Sequence, residues 1–242
     1  MADFSPVDKK GRGWVPDDWS EYRQSMLGKK PDALNGFYSA GFDYLQQTIA
    51  DSPCLAIDIE TTGLNSGQDR IVSIGLVEFD SRRVYLATAK HWLVDPGELS
   101  DSSVVVHGIT HSAVSSAPSI ELVMPEVLSA MAGRLAVVHY RAMEREFFRT
   151  LSQSLWSESW LFPVIDTFAL EATVLTEAKG FFDRLRRKPL PSLRLPDARS
   201  RYHLPDYENH NALVDAIATA ELLQAQIQHW GLGQRLVKGL CI

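Results

Sequence analysis

The run Cys54-Leu55-Ala56-Ile57-Asp58-Ile59-Glu60 constrains this chain more than any other stretch. It is short, apolar and β-rich, the pattern of an interior strand. Side chains alternate along a strand, so Leu55, Ile57 and Ile59 turn to one face while Asp58 and Glu60 share the other. Their Cα atoms then stand about 6.5–7 Å apart. A first strand in a layered fold belongs in the middle of its sheet. Two like charges on one of its faces are costly there unless a cation compensates them. Two readings stand at this point: the strand ends at Ile57 and the acids lie in a solvated turn, or the acids converge on a metal ion.

Further elements follow in a regular order. Residues 71–79 and 84–94 read as second and third strands joined by the turn Asp80-Ser81-Arg82-Arg83. Helical periodicity covers 120–131, and Leu135-Ala136-Val137-Val138 is a fourth strand. An amphipathic helix spans 143–155, a short fifth strand 164–166 and a helix 168–178. A Pro- and Arg-rich stretch runs from 188 to 205. The last helix spans 211–229 and is stopped by Gly231. Three strands followed by alternating helix and strand predict an α/β domain, a mixed, partly parallel sheet covered by helices. Residues 1–51 form a mostly helical extension, with helices at 20–27, ended by Gly28, and 43–50. Its aromatics Trp14, Trp19, Phe37, Tyr38 and Phe42 call for a surface to pack on. The main domain is 52–235, and 236–242 is a tail.

Composition narrows the class. In 242 residues, 45% hydrophobic content suffices for a core, and no run of about eighteen apolar residues predicts a membrane span. The beginning of the chain lacks a basic segment followed by an apolar one, so no secretory signal is expected and the cytoplasm is the expected compartment. Cys54 and Cys241 offer neither a disulfide framework nor a thiolate metal cluster. A net charge of −6 argues at first sight against a nucleic-acid partner. Cations bound to carboxylates would offset part of that charge. Between Lys179 and Arg201, moreover, eight basic residues face only Asp183 and Asp197, a bias towards phosphate.

The phrase Asp58-Ile59-Glu60-Thr61-Thr62-Gly63-Leu64 resembles the first motif of the DnaQ-like DEDDh 3′–5′ exonucleases, a family with a ribonuclease-H-like fold. The resemblance demands further acids downstream. His210-Asn211-Ala212-Leu213-Val214-Asp215 matches the third motif, His-x-Ala-x-x-Asp, in full, where otherwise it would read as a surface helix with a chance His and Asp. The second motif departs from the family pattern: His139-Tyr140-Arg141-Ala142-Met143-Glu144-Arg145-Glu146-Phe147-Phe148 has Glu144 where the family usually has Asp. Glu144, Phe147 and Phe148 share one helix face, with Glu146 turned away. An extra methylene moves a carboxylate by about 1.5 Å, which a hard cation keeping some of its waters can absorb. Tyr140 and Arg141 replace the usual Asn and a small residue, as base- and phosphate-contacting groups or as ordinary surface residues. Lesser matches lie at 106–110 and 162–167, with Asp166 read as a strand-end cap. The resemblance runs from Leu55 to Leu223.

It implies a ribonuclease-H-like three-layer domain with a mixed five-stranded sheet. It also implies two Mg²⁺ or Mn²⁺ ions on Asp58, Glu60, Glu144 and Asp215, an all-oxygen set. His210 is then the general base of a two-metal hydrolysis that releases nucleoside 5′-monophosphates. Leu64 would wedge against the terminal base, the Thr61-Thr62 backbone would hold the 3′ end, and His139 joins the substrate contacts. The expected partner is a nucleic-acid 3′ end, single-stranded DNA ahead of RNA, with a polymerase or repair assembly alongside and no membrane. The alternatives are an exoribonuclease acting on short RNA and an inactive nucleic-acid-binding module. His107, His111 and His139 read otherwise as hydrogen-bonded structural residues. Trp156 and Trp160 read as core or extension contacts.

Overall fold

A computed structural model describes residues 15–97, 114, 116–178, 189–208 and 210–241. Five strands form its sheet: β1 (Cys54–Thr61), β2 (Ile71–Phe79), β3 (Lys90–Leu93), β4 (Leu135–Val138) and β5 (Val164–Asp166). Their order is β3-β2-β1-β4-β5, with β1 antiparallel to β2 and parallel to β4, and β5 parallel to β4. The most acidic strand is thus the central one. Seven helices are found among the described residues: α1 (Trp19–Met26), α2 (Asp32–Ser39), α3 (Ile120–Met131), α4 (Ala142–Trp156), α5 (Thr167–Ala178), α6 (Leu195–Arg201) and α7 (Ala212–Trp230). This is the mixed five-stranded α/β architecture expected. None of these helices is long and apolar enough to cross a membrane.

Local chemistry fixes the helix that matters most. The Asn211 side chain accepts from the N–H groups of Leu213 and Val214 at the start of α7, and Gly231, at φ 62°, ends it in the left-handed conformation. The helix lies on β2 at Gly75, where an added Cβ would sit 2.2 Å from the backbone of Ala212 and Leu213. Ala212, Ala216 and Ala220 are buried along the same helix. Gly75 is the register partner of Asp58. Glycine there lets the first turns of α7 settle directly over the acidic face of β1.

Several expected elements differ. The third strand is confined to 90–93, because Leu86–Thr88 form a 3-10 turn and Val84 makes only an isolated bridge to Phe79. Residues 43–50 hold only the 3-10 turn Asp43–Gln46. Beyond it the chain extends to pair Thr48 with Leu236. Helix α2 was not foreseen in the extension, nor α6 in the Pro- and Arg-rich stretch. α6 starts with Pro196 in its first turn, where a proline loses no helical hydrogen bond.

The extension is part of the core. Phe37 meets Trp160 edge-on at 5.5 Å, and the Tyr38 hydroxyl donates to the Leu161 carbonyl at 2.9 Å. The Arg145 guanidinium lies over Trp19, 5.9 Å from the ring. The tail joins them: Val237 N–H donates to Gln47 O and Ile49 N–H to Arg235 O, and Val237 is fully buried.

Candidate active site

β1 runs through Thr61, so Asp58 and Glu60 stay on the strand and the solvated-turn reading falls. Asp215, one turn into α7, reaches them from above. One carboxylate oxygen from each of Asp58, Glu60 and Asp215 lies within 4.8 Å of the others. Burial pushes the Asp58 carboxyl well above the usual range, and the neighbouring Glu144, Asp215 and Glu60 charges add to it. Burial and Asp215 raise Glu60 to about 7. Asp215 is raised by burial and drawn partly back by hydrogen bonds, one from the His210 N–H to Oδ2 at 3.0 Å. Three acids this close hold protons more tightly than ordinary carboxylates do. A divalent cation would replace those protons, and the all-oxygen donor set suits a hard ion.

Glu144 stands apart from that trio. It lies in the first turn of α4, 4% exposed, on the face that also buries Phe147 and Phe148. Glu146 is turned outward to Arg149, at 2.8 Å. Glu144 is absent from the set of three converging carboxylates, yet close enough to Asp58 to raise its proton affinity. Burial pushes the Glu144 carboxyl well up too, and the charge of Asp166 adds to this. Its Oε2 is buried without a hydrogen-bond partner among the described residues. A buried carboxylate oxygen with no donor calls for a proton or a cation.

The loop before α4 hangs on Asp166, at the end of β5. Asp166 Oδ1 accepts from the N–H groups of Tyr140 and Phe168, both at 3.0 Å, and Oδ2 from Arg141 N–H at 3.2 Å. The strand-end cap expected from the sequence is present, and it also binds the second motif. The Arg141 guanidinium turns inward to the same carboxylate, at 3.3 Å, instead of out towards a phosphate.

The residues expected to contact substrate make the following bonds. His139 has both ring nitrogens engaged internally, Nδ1 with Thr167 Oγ1 at 2.8 Å and Nε2 with Leu193 O at 2.9 Å, which braces the loop after β4. The Thr62 N–H, expected to hold the 3′ end, donates to Arg70 O. The Thr61 hydroxyl donates to Gly63 O, and the Thr62 hydroxyl donates to Asp69. Leu64, by contrast, is 84% exposed at the tip of this loop. His210 is exposed at the entrance to α7, with φ 71°. The 106–110 segment and residues 179–188 of the basic stretch lie outside the described residues.

Two organising residues escaped the sequence reading. Asp69 clamps the first-motif loop, accepting from Thr62 Oγ1 and from Asn65 N–H at 2.8 Å. Gly75 admits α7. A glycine inside an apolar strand was the available signal for it.

The exonuclease family model of the RNase T type matches residues 55–223. The chain belongs to the exonuclease family. Its members are phosphodiester hydrolases, and the matched span takes in β1 with Asp58 and Glu60, Glu144 and Asp215. The exonuclease domain is 32% identical over 183 residues to a DNA polymerase III subunit epsilon-like protein of Rhodobacter capsulatus, covering 73% of this chain and 24% of that protein. It is 30% identical over 176 residues to the PolC-type DNA polymerase III of Thermotoga maritima, covering 72% of this chain and 12% of that protein. The chain thus spans a minor part of the length of these relatives. Among solved structures, the nuclease domain of 3′hExo, a DEDDh family member bound to rAMP, superposes with a TM-score of 0.59 at 17% identity, covering 76% of this chain and 96% of that one. At that identity the likeness speaks for a shared fold.

Proposed function

We propose that this exonuclease domain removes nucleotides from the 3′ end of a nucleic acid, with DNA as the favoured substrate, and releases nucleoside 5′-monophosphates. The observation that carries the reading is the convergence of the Asp58, Glu60 and Asp215 carboxylates within 4.8 Å, beside the partnerless Oε2 of Glu144. Mg²⁺ or Mn²⁺, as a pair on Asp58, Glu60, Glu144 and Asp215, would when bound acidify the attacking water and stabilise the departing 3′ oxygen.

The protein's own groups supply the rest. Asp58, Glu60 and Asp215 bind from two elements, and Glu144 completes the set from α4. His210 takes the proton of the attacking water on an imidazole nitrogen. Its backbone N–H is anchored to Asp215, which ties the base to the ligands. Leu64 lies against the terminal base and parts it from its neighbour. The likeness to polymerase III subunits supports DNA as substrate and a polymerase as partner.

The test uses 5′-labelled single strands of matched DNA and RNA with Mg²⁺ or Mn²⁺. The expected result is a ladder shortening from the 3′ end, faster on DNA and lost in Asp58→Ala. Binding without any ladder, in the wild type, would leave a nucleic-acid-binding module instead. A faster RNA ladder would reassign the substrate.

A further inference from the structure

We propose that Tyr140 is a stacking platform for a base at the 3′ end of the bound strand, a substrate-binding contact set by this chain's departure from the family motif. The inference rests on the exonuclease reading above.

The backbone of Tyr140 lies at φ 80°, a conformation that asparagine, the usual family residue, tolerates and a bulky residue adopts only under strain. A strained position persists when its surroundings over-determine it, and such positions gather at ligand-binding sites. Here one buried oxygen does so: Asp166 Oδ1 accepts from the N–H groups of both Tyr140 and Phe168. The two rings meet edge to face at 5.1 Å with 61° between their planes. One side of the Tyr140 ring is therefore braced, yet the residue remains 48% exposed.

Its place matches the chemistry. β1, β4 and β5 are parallel, with Ala56 level with Val137 and Val138 level with Asp166. Tyr140 and Phe168, just beyond β4 and β5, therefore stand at the same carboxyl-end rim as Asp58 and Glu60. Tyr140 precedes Glu144 by about one helical turn. Ligands of open α/β sheets sit outside this end of the strands. Arg141, the neighbouring cation, is turned onto Asp166 with 14% side-chain exposure, so the exposed group of the loop is the ring. A flat, rigid, half-open aromatic face beside a carboxylate cluster suits the π-face of a base better than a phosphate. Stacking of this kind is tolerant of sequence.

Three proteins test it: the parent, Tyr140→Asn, which removes the ring and fits the backbone, and Tyr140→Phe, which keeps the ring. Binding is read by anisotropy of 5′-fluorescein oligonucleotides with Ca²⁺, so that absent hydrolysis and absent stacking are separate results. One oligonucleotide carries all its bases, and its twin is abasic at the last two 3′ positions. Tyr140→Asn should weaken binding of the complete strand about 5- to 100-fold. It should leave the abasic strand unchanged, and Tyr140→Phe should restore the difference. The Asn variant should melt no lower than the parent, which excludes unfolding as the cause. An equal loss on both strands, or no loss on the complete one, overturns the proposal.

Discussion

Asp58, half-buried on β1, lies near the buried Glu144, and burial raises both carboxyls well above the range they have in an unfolded chain. A group whose folded pKa is raised binds more protons in the folded state, so folding is favoured where it is protonated and loses support as it ionises. The cation-free protein should therefore be firmest below the ordinary carboxylate range. It should weaken as pH rises towards about 7, where Glu60 also gives up its proton. Melting in EDTA should occur at a lower temperature at pH 8 than at pH 5, and Mg²⁺ or Mn²⁺ should close that gap. Equal melting at both values would mean that burial does not raise these carboxyls. Glu144→Gln mimics the protonated carboxyl, so it should narrow the melting gap between pH 5 and pH 8 in the cation-free chain. It should also reduce the stabilisation that cations give. Differential scanning calorimetry with and without Mn²⁺ reads both effects.

Between elements, the decisive contact is α7 on β2. Gly75→Ala would place a methyl group 2.2 Å from the Ala212 backbone, so α7 must lift and carry Asp215 away from Asp58 and Glu60. A stability loss of about 1–3 kcal/mol, the usual range for overpacking, should come with a marked drop in Mn²⁺ affinity, read by titration calorimetry. Gly36→Ala is the contrasting case. It lies exposed inside α2 with nothing within 4 Å of the added carbon, and it should stabilise by about 0.5–1 kcal/mol. Sequence periodicity made β1, β2, α3, β4, β5 and α7 legible, since each is defined by its own local pattern. α6 was not legible, because seven residues show little periodicity. Its Arg199 is fixed by distant groups, the carbonyls of Ala218 and Pro205 and the Glu221 carboxylate. The same division runs through the site. Residue type and spacing pointed to Asp58, Glu60 and Asp215, whereas the internal bonds of His139 depend on Thr167 and Leu193, far away in sequence.

Across the whole molecule, the extension and the tail share one interior with the sheet. Phe37 packs on Trp160 and Phe162, Tyr38 is bonded to Leu161, and the Tyr22 hydroxyl donates to Ser159 O. A chain shortened to residues 52–242 would leave Trp160 and Phe162 uncovered. Such a chain should keep far-UV helix signal but lose near-UV signal and protection from trypsin, the marks of lost packing. Undiminished protection would show that 52–242 folds alone. The link between Trp19 and Arg145 sharpens the point, because Arg145 is the residue next to Glu144 on α4. A cloning boundary drawn at the limits of family similarity would sever a folding unit. Silence from the resulting fragment would report a ruined interior and tell nothing about the chemistry of the intact chain.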